Sequence, residues 1–321
     1  MYNWQLPDWP NFSYDLSGAE PFLFEFAELS GRVSGLIQSL PERIKSDTVI
    51  DIMVVEAMKS SEIEGVYLSR KDVVSSVRRR MGLASEHLHV KDKKADGYAA
   101  IMVDVRNTFR EKLTVDMLFQ WHRMLLPDSR KIITGAWRSH TEPMQVVSGA
   151  IGKEKIHFEA PSSDVVPKEM ASFIQWFNNT APDGKLPIRK PVLRPAIAHL
   201  YFETIHPFED GNGRMGRILA EKALAQELGH PVMLSISQAI EARKSDYYKE
   251  LEMAQKGNEI TPWINYFIKT VLEAQAHFGN QLKFVIRVTK FFDRLKTDLN
   301  ERQDKVLHRM FEEGPNGFEG G

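Results

Sequence analysis

The chain has 321 residues, no cysteine, and 42 basic against 43 acidic side chains, for a net charge of −1. That balance gives no electrostatic footing for nucleic acid or an acidic membrane, and the lack of thiols excludes disulfides and cysteine catalysis. No apolar run reaches the roughly 18 residues of a membrane span and the N-terminus has no basic start, so a soluble, cytoplasmic protein is expected, built as one large helical domain with appendages or as two domains.

Residues 1 to 20 carry Trp4, Pro7, Trp9, Pro10, Phe12 and Tyr14 without periodicity and read as an extended arm lying across the fold. A helix follows from about Pro21 to Leu40. After Pro41 a second begins near Ser46 or Asp47, either of which can cap it, runs through Val49, Met53, Val54 and Met58, and closes at Gly65. Its last turn holds Glu62 and Glu64, acids that oppose the helix dipole at a C-terminus, and a residue set against its local preference points to a function.

From Lys71 to Glu111 the chain reads as helical, and the basic runs Arg78 to Arg80 and Lys91 to Lys94 read as solvated faces. Leu113 to Pro127 gives another helix, with His122 as a packing or surface residue. Residues 131 to 168 are the least helical. There Val146-Val147 suggests a strand, and Lys155 to Ala160 alternates with period two before Pro161, so a small hairpin is expected.

A helix from Pro167 to Asn178 leads through a proline-bounded linker, Pro182 to Pro191, to two helices with apolar residues at three- and four-residue steps. The first carries Ala196, Ile197, Leu200, Tyr201 and Ile205, with His199 as a packing residue; the second carries Met215, Ile218, Leu219, Ala223 and Leu228 and is closed by Gly229. Ser237 to Ala254 reads as one helix bearing Tyr247 and Tyr248. Thr261-Pro262-Trp263 opens a long one in cap-then-proline order, continuing to Leu299, and Arg302 to Glu312 forms the last.

Between the two central helices lies His206-Pro-Phe-Glu-Asp-Gly-Asn-Gly-Arg-Met-Gly-Arg217. Gly211, Asn212 and Gly213 allow left-handed backbone and close approach of a ligand, while the helix that starts there points free N–H groups into the turn, which makes an anion nest. Arg214 and Arg217 are three apart and can grip phosphate oxygens from one side of the helix. Asp210 offers a hard oxygen to Mg²⁺, and His206 is the loop's one group able to exchange a proton near neutral pH, hence the candidate general base. Phe208 has no polar task and anchors the loop in the core. Gly211, Gly213 and Gly216 match G-x-G-x-x-G, but a helix precedes them where a dinucleotide fingerprint needs a strand; the Walker-like Gly149 to Lys153 lacks its first glycine and its Ser or Thr.

The stretch resembles, at every defined position, the H-P-F-x-D-G-N-G-R-x-x-R signature of the Fic family. The resemblance implies an all-α fold: a Fic-type helical core with a small β-hairpin flap, an N-terminal helical extension and a partial winged-helix-like C-terminal segment. The expected division is 1–100, 101–270 and 271–321. It also implies transfer of AMP from ATP to a Ser, Thr or Tyr hydroxyl of a protein. His206 would then be the catalytic base and Asp210 the Mg²⁺ ligand. Phe208, Gly211, Asn212, Gly213, Arg214 and Arg217 would form the nucleotide-binding set, joined by Tyr248 beside the base. Ser60 to Gly65 resembles the family's [S/T]-x-x-x-E-[G/N] inhibitory motif, with Ser60 and Glu64 at the defined positions. Glu64 would occupy Arg217 and so misplace ATP. The flap, placed at Ile151 to Pro161, would hold an extended target segment, and Gly135 to Arg138 resembles the segment before it. The partner is a protein with an accessible hydroxyl. Self-modification, homo-oligomerisation, removal of AMP, another transferred nucleotide and a DNA-binding C-terminal region stay open as alternatives; the near-neutral charge and short C-terminal end argue against the last.

Overall fold

A computed structural model describes residues 1–83, 90–129, 132–149, 155–295 and 299–312. Among the described residues it contains twelve α-helices and one two-stranded sheet. The arm is ordered: Asn3 to Gln5 form a 3-10 turn, the Asn3 amide donates to the Gln255 carbonyl at 2.8 Å, and Ser13 bridges to Glu259. The Trp4 indole donates to the Glu159 carbonyl at 2.8 Å.

Helix α1 spans Glu20–Gln38 and α2 spans Glu42–Ile63. The second begins one turn earlier than Ser46 or Asp47, because extended Pro41 sits at its cap and Glu42 places an acid in the first turn, where the dipole favours it. Helices α3 (Arg70–Arg80) and α4 (Lys93–Thr108) are capped by Ser69 and Asp92, whose side chains accept first-turn amides. The expected helical run from Lys71 to Glu111 is therefore two helices, and residues 84–89 lie outside the described residues. Next come α5 (Val115–Leu125), strands β1 (Gln145–Ser148) and β2 (Lys155–Glu159), and α6 (Val166–Asn179). The strands pair antiparallel with a bulge between Val146 and Val147. Of the expected flap, Ile151 to Glu154 lie outside the described residues.

Helices α7 (Leu193–Ile205) and α8 (Asn212–Leu228) are the centre of the molecule. Every residue of α7 is buried, including the polar Arg194, His199, Glu203 and Thr204. One apolar cluster packs it against α1 and, further along the chain, α11 (Thr261–Leu295), through residues such as Phe26, Leu200 and Trp263; the other packs it against α2, α4, α5 and α6 through Val54, Ile101, Trp121 and Phe173. The loop between α7 and α8 thus hangs on the best-anchored part of the chain.

The expected single helix Ser237 to Ala254 is two, α9 (Ile236–Ala242) and α10 (Lys244–Ala254), broken at Arg243 with φ −136° and ψ 47°. No glycine or proline marks the break; α9 is fixed from outside, since the Glu56 carboxylate of α2 accepts from the Ser235 hydroxyl at 2.7 Å and the Ser237 amide at 3.0 Å. Helix α12 (Glu301–Glu312) sets Phe311 against Phe291 and Phe292 of α11. Residues 313–321 lie outside the described residues, so α12 alone represents the expected winged-helix-like segment.

Candidate active site

The C-terminus of α7 and the N-terminus of α8 meet over a cavity of about 580 Å³, lined by Glu64, His206, Asp210, Gly213 and Tyr248 together with the flap. A larger one, about 710 Å³, lies between α2, α3 and α11. The smaller is the candidate because the loop's base, acid and anion nest all open into it.

His206 is the left-handed end residue of α7, with φ 50°. Its Nδ1 lies 3.3 Å from the Glu203 carbonyl, so Nδ1–H donates there and Nε2 keeps the lone pair. Burial lowers its pKa to about 4, so the imidazole is neutral at physiological pH. Gly211, with φ 82°, caps α8, and the first amides of that helix have no carbonyl one turn back to receive them.

The loop's shape is enforced by side chains. Asn212 accepts the Phe208 amide at 2.9 Å and donates to the Phe208 carbonyl at 2.8 Å. Its side chain therefore braces the turn, and only its main chain belongs to the nest expected to cradle phosphate. Phe208 is fully buried and stacked on His122 with ring centres 4.0 Å apart, which anchors the loop in the core.

His122 is more than a packing residue. Its Nδ1 accepts the Gly135 amide at 2.8 Å, which leaves Nε2–H to donate to the Asp210 carbonyl at 3.0 Å. Burial holds it below the ordinary histidine range, in the neutral form this double role needs. Arg138 is 2 % exposed and donates to the His206 carbonyl at 2.8 Å, the Ser163 hydroxyl at 2.9 Å and the Pro161 carbonyl. It ties the loop to the segment after the flap. His122 has no sequence signal beyond its type and Arg138 only the resemblance of Gly135 to Arg138 to a pre-flap segment; the fold brings both to the loop.

Arg217 lies 2 % exposed in the second turn of α8. It donates from Nε to the Ser60 hydroxyl and from Nη2 to the Ser60 carbonyl and the Glu64 carboxylate, each at 2.8 Å. Sequence positions 60 and 64 thus converge on one guanidinium. Burial works against the Glu64 anion, but Arg217 outweighs it and holds the carboxyl below its usual range. Arg217 Nη1 and Arg214 Nε are buried donors with no hydrogen-bond partner. The Asp210 carboxylate, 59 % exposed, accepts the Gly211 amide at 2.6 Å and lies 3.6 Å from Arg214.

Tyr248 lines the cavity, 38 % exposed, and its hydroxyl donates to the Ile63 carbonyl at 3.3 Å. Tyr247 is core, its hydroxyl 2.8 Å from His199 Nε2. Sequence reading passed over Glu203, 4 % exposed, with Oε2 3.8 Å from His206 Nδ1 and Oε1 buried without a partner. Its spacing three before His206 was the available signal.

Residues 112–224 match the Fic/DOC family, and residues 2–83 match a domain of unknown function, DUF4172. Half of the chain, 159 residues, is 27 % identical to the protein adenylyltransferase fic-1 of Caenorhabditis elegans, and 100 residues are 32 % identical to the protein adenylyltransferase Fic of Drosophila erecta. The chain spans 27 % and 19 % of the length of these relatives. A Fic domain containing signaling protein from Bacteroides thetaiotaomicron superposes with a TM-score of 0.61 at 21 % identity, covering 81 % of this chain and 97 % of that one. A Fic family protein from Desulfovibrio desulfuricans does so at 0.60 and 22 %, covering 84 % and 75 %. With the fold, the loop from His206 to Arg217 and the family match in agreement, residues 112–224 are a Fic/DOC domain.

Proposed function

We propose that the chain is an autoinhibited protein adenylyltransferase, moving AMP from ATP to a Ser, Thr or Tyr hydroxyl of a protein in the cytoplasm. The observation that carries this reading is the pair of buried, unpartnered arginine donors, Arg214 Nε and Arg217 Nη1, beside a helix N-terminus and a neutral imidazole. Two positive side chains and free amides suit a polyphosphate, and the imidazole suits an incoming hydroxyl.

In this reading His206 Nε2 takes the proton of the target hydroxyl as its oxygen bonds to the α-phosphorus, and the bond to pyrophosphate breaks. The main-chain amides of Asn212 and Gly213 hold the departing oxygens, and Tyr248 flanks the base. Asp210 fits Mg²⁺: its carboxylate is exposed on the cavity wall, and a single acid suffices where phosphates and water supply the remaining oxygens. Bound there, Mg²⁺ supplies charge neutralisation for the pyrophosphate. Glu64 holds Arg217 away from the outer phosphate, so nucleotide binds in a posture unsuited to in-line attack.

The test uses α-labelled ATP, Mg²⁺ and a cell extract as the source of target proteins. Label on extract proteins should rise about 10²-fold from wild type to Glu64→Gly, the scale of one transition-state contact regained. It should fall about 10²- to 10⁴-fold on adding His206→Ala, the usual share of a general base. Equal labelling by wild type and Glu64→Gly would overturn autoinhibition; no labelling by either would overturn AMP transfer. A second reading rests on the exposure of Glu64 in the same cavity: the carboxylate orients a water that removes AMP from a modified protein. Loss of label from pre-modified extract with wild type, and not with Glu64→Gly, would select it.

A further inference from the structure

Across the cavity from His206 the flap carries a second array of reactive side chains. Ser148 Oγ lies 2.6 Å from His157 Nε2, and His157 Nδ1 lies 2.8 Å from Glu252 Oε2 on α10. All three line the cavity that also holds Asp210, Gly211 and Gly213. The carboxylate end fixes the direction of the chain. Glu252 also pairs with Lys256 at 2.9 Å, and the hydrogen bonds from Lys256 and His157 lower its pKa to about 2, so it is an acceptor only. Nδ1–H therefore donates to Glu252, and in the neutral imidazole Nε2 carries the lone pair and accepts from the Ser148 hydroxyl. Hydroxyl, imidazole and carboxylate in that order are the arrangement that turns a serine into a nucleophile.

The backbone accounts for the meeting. Strand β2 bulges at His157: Val146 faces Phe158 and Val147 faces Ile156, so His157 has no residue directly opposite and reaches Ser148 on the diagonal. An exposed hairpin has no structural need for a buried-type relay: His157 and Glu252 are 27 % and 26 % exposed, open to an incoming group.

We propose that Ser148 is an acceptor for AMP within this chain, with His157 as its own base. This rests on the adenylyltransferase reading. Ser148 Oγ bonds to the α-phosphorus of ATP, its proton passes to His157 Nε2, and the bond from α-phosphorus to the pyrophosphate oxygen breaks. The product is a phosphodiester on the flap, in the space where an extended target segment would lie, so modification of Ser148 and of a target compete.

The experiment takes the purified full chain carrying Glu64→Gly, with α-labelled ATP and Mg²⁺, in the presence and absence of cell extract, and locates AMP on the chain by tandem mass spectrometry. AMP is expected on Ser148. Adding Ser148→Ala should remove that label, Ser148→Thr should keep it at residue 148, and His157→Ala should cut it by about 10²-fold or more, the contribution of a positioned base. Extract proteins labelled with residue 148 unmodified would overturn the proposal and leave the adenylyltransferase reading standing. Label on Ser148 that is undiminished by His157→Ala would overturn the relay. No label on the chain or the extract would overturn both.

Discussion

Glu203 shows how far a single residue can depart from its type when the fold encloses it. Burial, then the Glu64 charge, raise its pKa to about 8, against a partial lowering by Arg217. A carboxyl whose folded pKa lies above its unfolded value of about 4.5 binds its proton more tightly in the folded state. Its contribution to stability is complete below pH 4.5 and is lost as pH rises through 8. Denaturant unfolding of wild type and Glu203→Gln should therefore diverge with pH: the stability of wild type relative to the variant declines between pH 4.5 and 8, by up to about 1.4 kcal/mol per pH unit. Parallel stability profiles would show an ordinary carboxyl. Next to it, His206 is neutral because burial lowers its pKa, so the acid and the imidazole 3.8 Å apart are both uncharged in the resting chain. A proton arriving on His206 would introduce the first charge between them.

At the scale of elements, glycines separate local preference from tertiary demand. Gly35 is inside α1 with open space where a Cβ would go, so Gly35→Ala should stabilise by about 0.5–1 kcal/mol through backbone entropy alone. Gly216 is inside α8, and helix propensity predicts the same gain. There a Cβ would stand 2.4 Å from Glu203 Oε1 and 3.1 Å from His199 Nδ1, so Gly216→Ala should destabilise by about 1–3 kcal/mol. Thermal melts of the two variants check both signs. The same distinction explains what the sequence revealed. The helices α7 and α8, the loop between them and the closing Gly229 were legible because periodicity, glycine chemistry and motif all act within some forty residues. Ser60 and Glu64 were legible only through the motif they resemble, since their meeting with Arg217 spans more than 150 residues of chain. The break at Arg243, the bracing by His122 and Arg138, and the serine relay of the flap depend on which elements lie side by side, and no local pattern encodes that. The anchoring role of Phe208 was legible from its type, but the bracing of the turn by the Asn212 side chain was not, because residue type alone does not tell a side chain that braces a turn from one that faces a ligand.

Across the whole molecule, the N-terminal arm and the end of α2 converge on the site. The arm pairs its Asn3 amide with Gln255 beyond α10 and its Trp4 indole with β2, so it backs both the cavity wall and the flap. From the other side α2 delivers its last turn to Arg217. That turn is closed by the Gly65 amide donating to the Glu62 carbonyl and the Val66 amide to the Ser61 carbonyl, each at 2.9 Å. One guanidinium therefore belongs to two binding equilibria at once, and free energy linkage makes their effects reciprocal: whatever factor the end of α2 takes from the affinity of an outer phosphate, that phosphate takes from the docking of α2. Saturating ATP should accelerate hydrogen exchange at the amides of Glu64, Gly65 and Val66 in the wild-type chain by the same factor by which Glu64→Gly tightens ATP. A nucleotide lacking the outer phosphate should leave that exchange unchanged, which would make the frayed end of a helix a direct reporter of what occupies the neighbouring cavity.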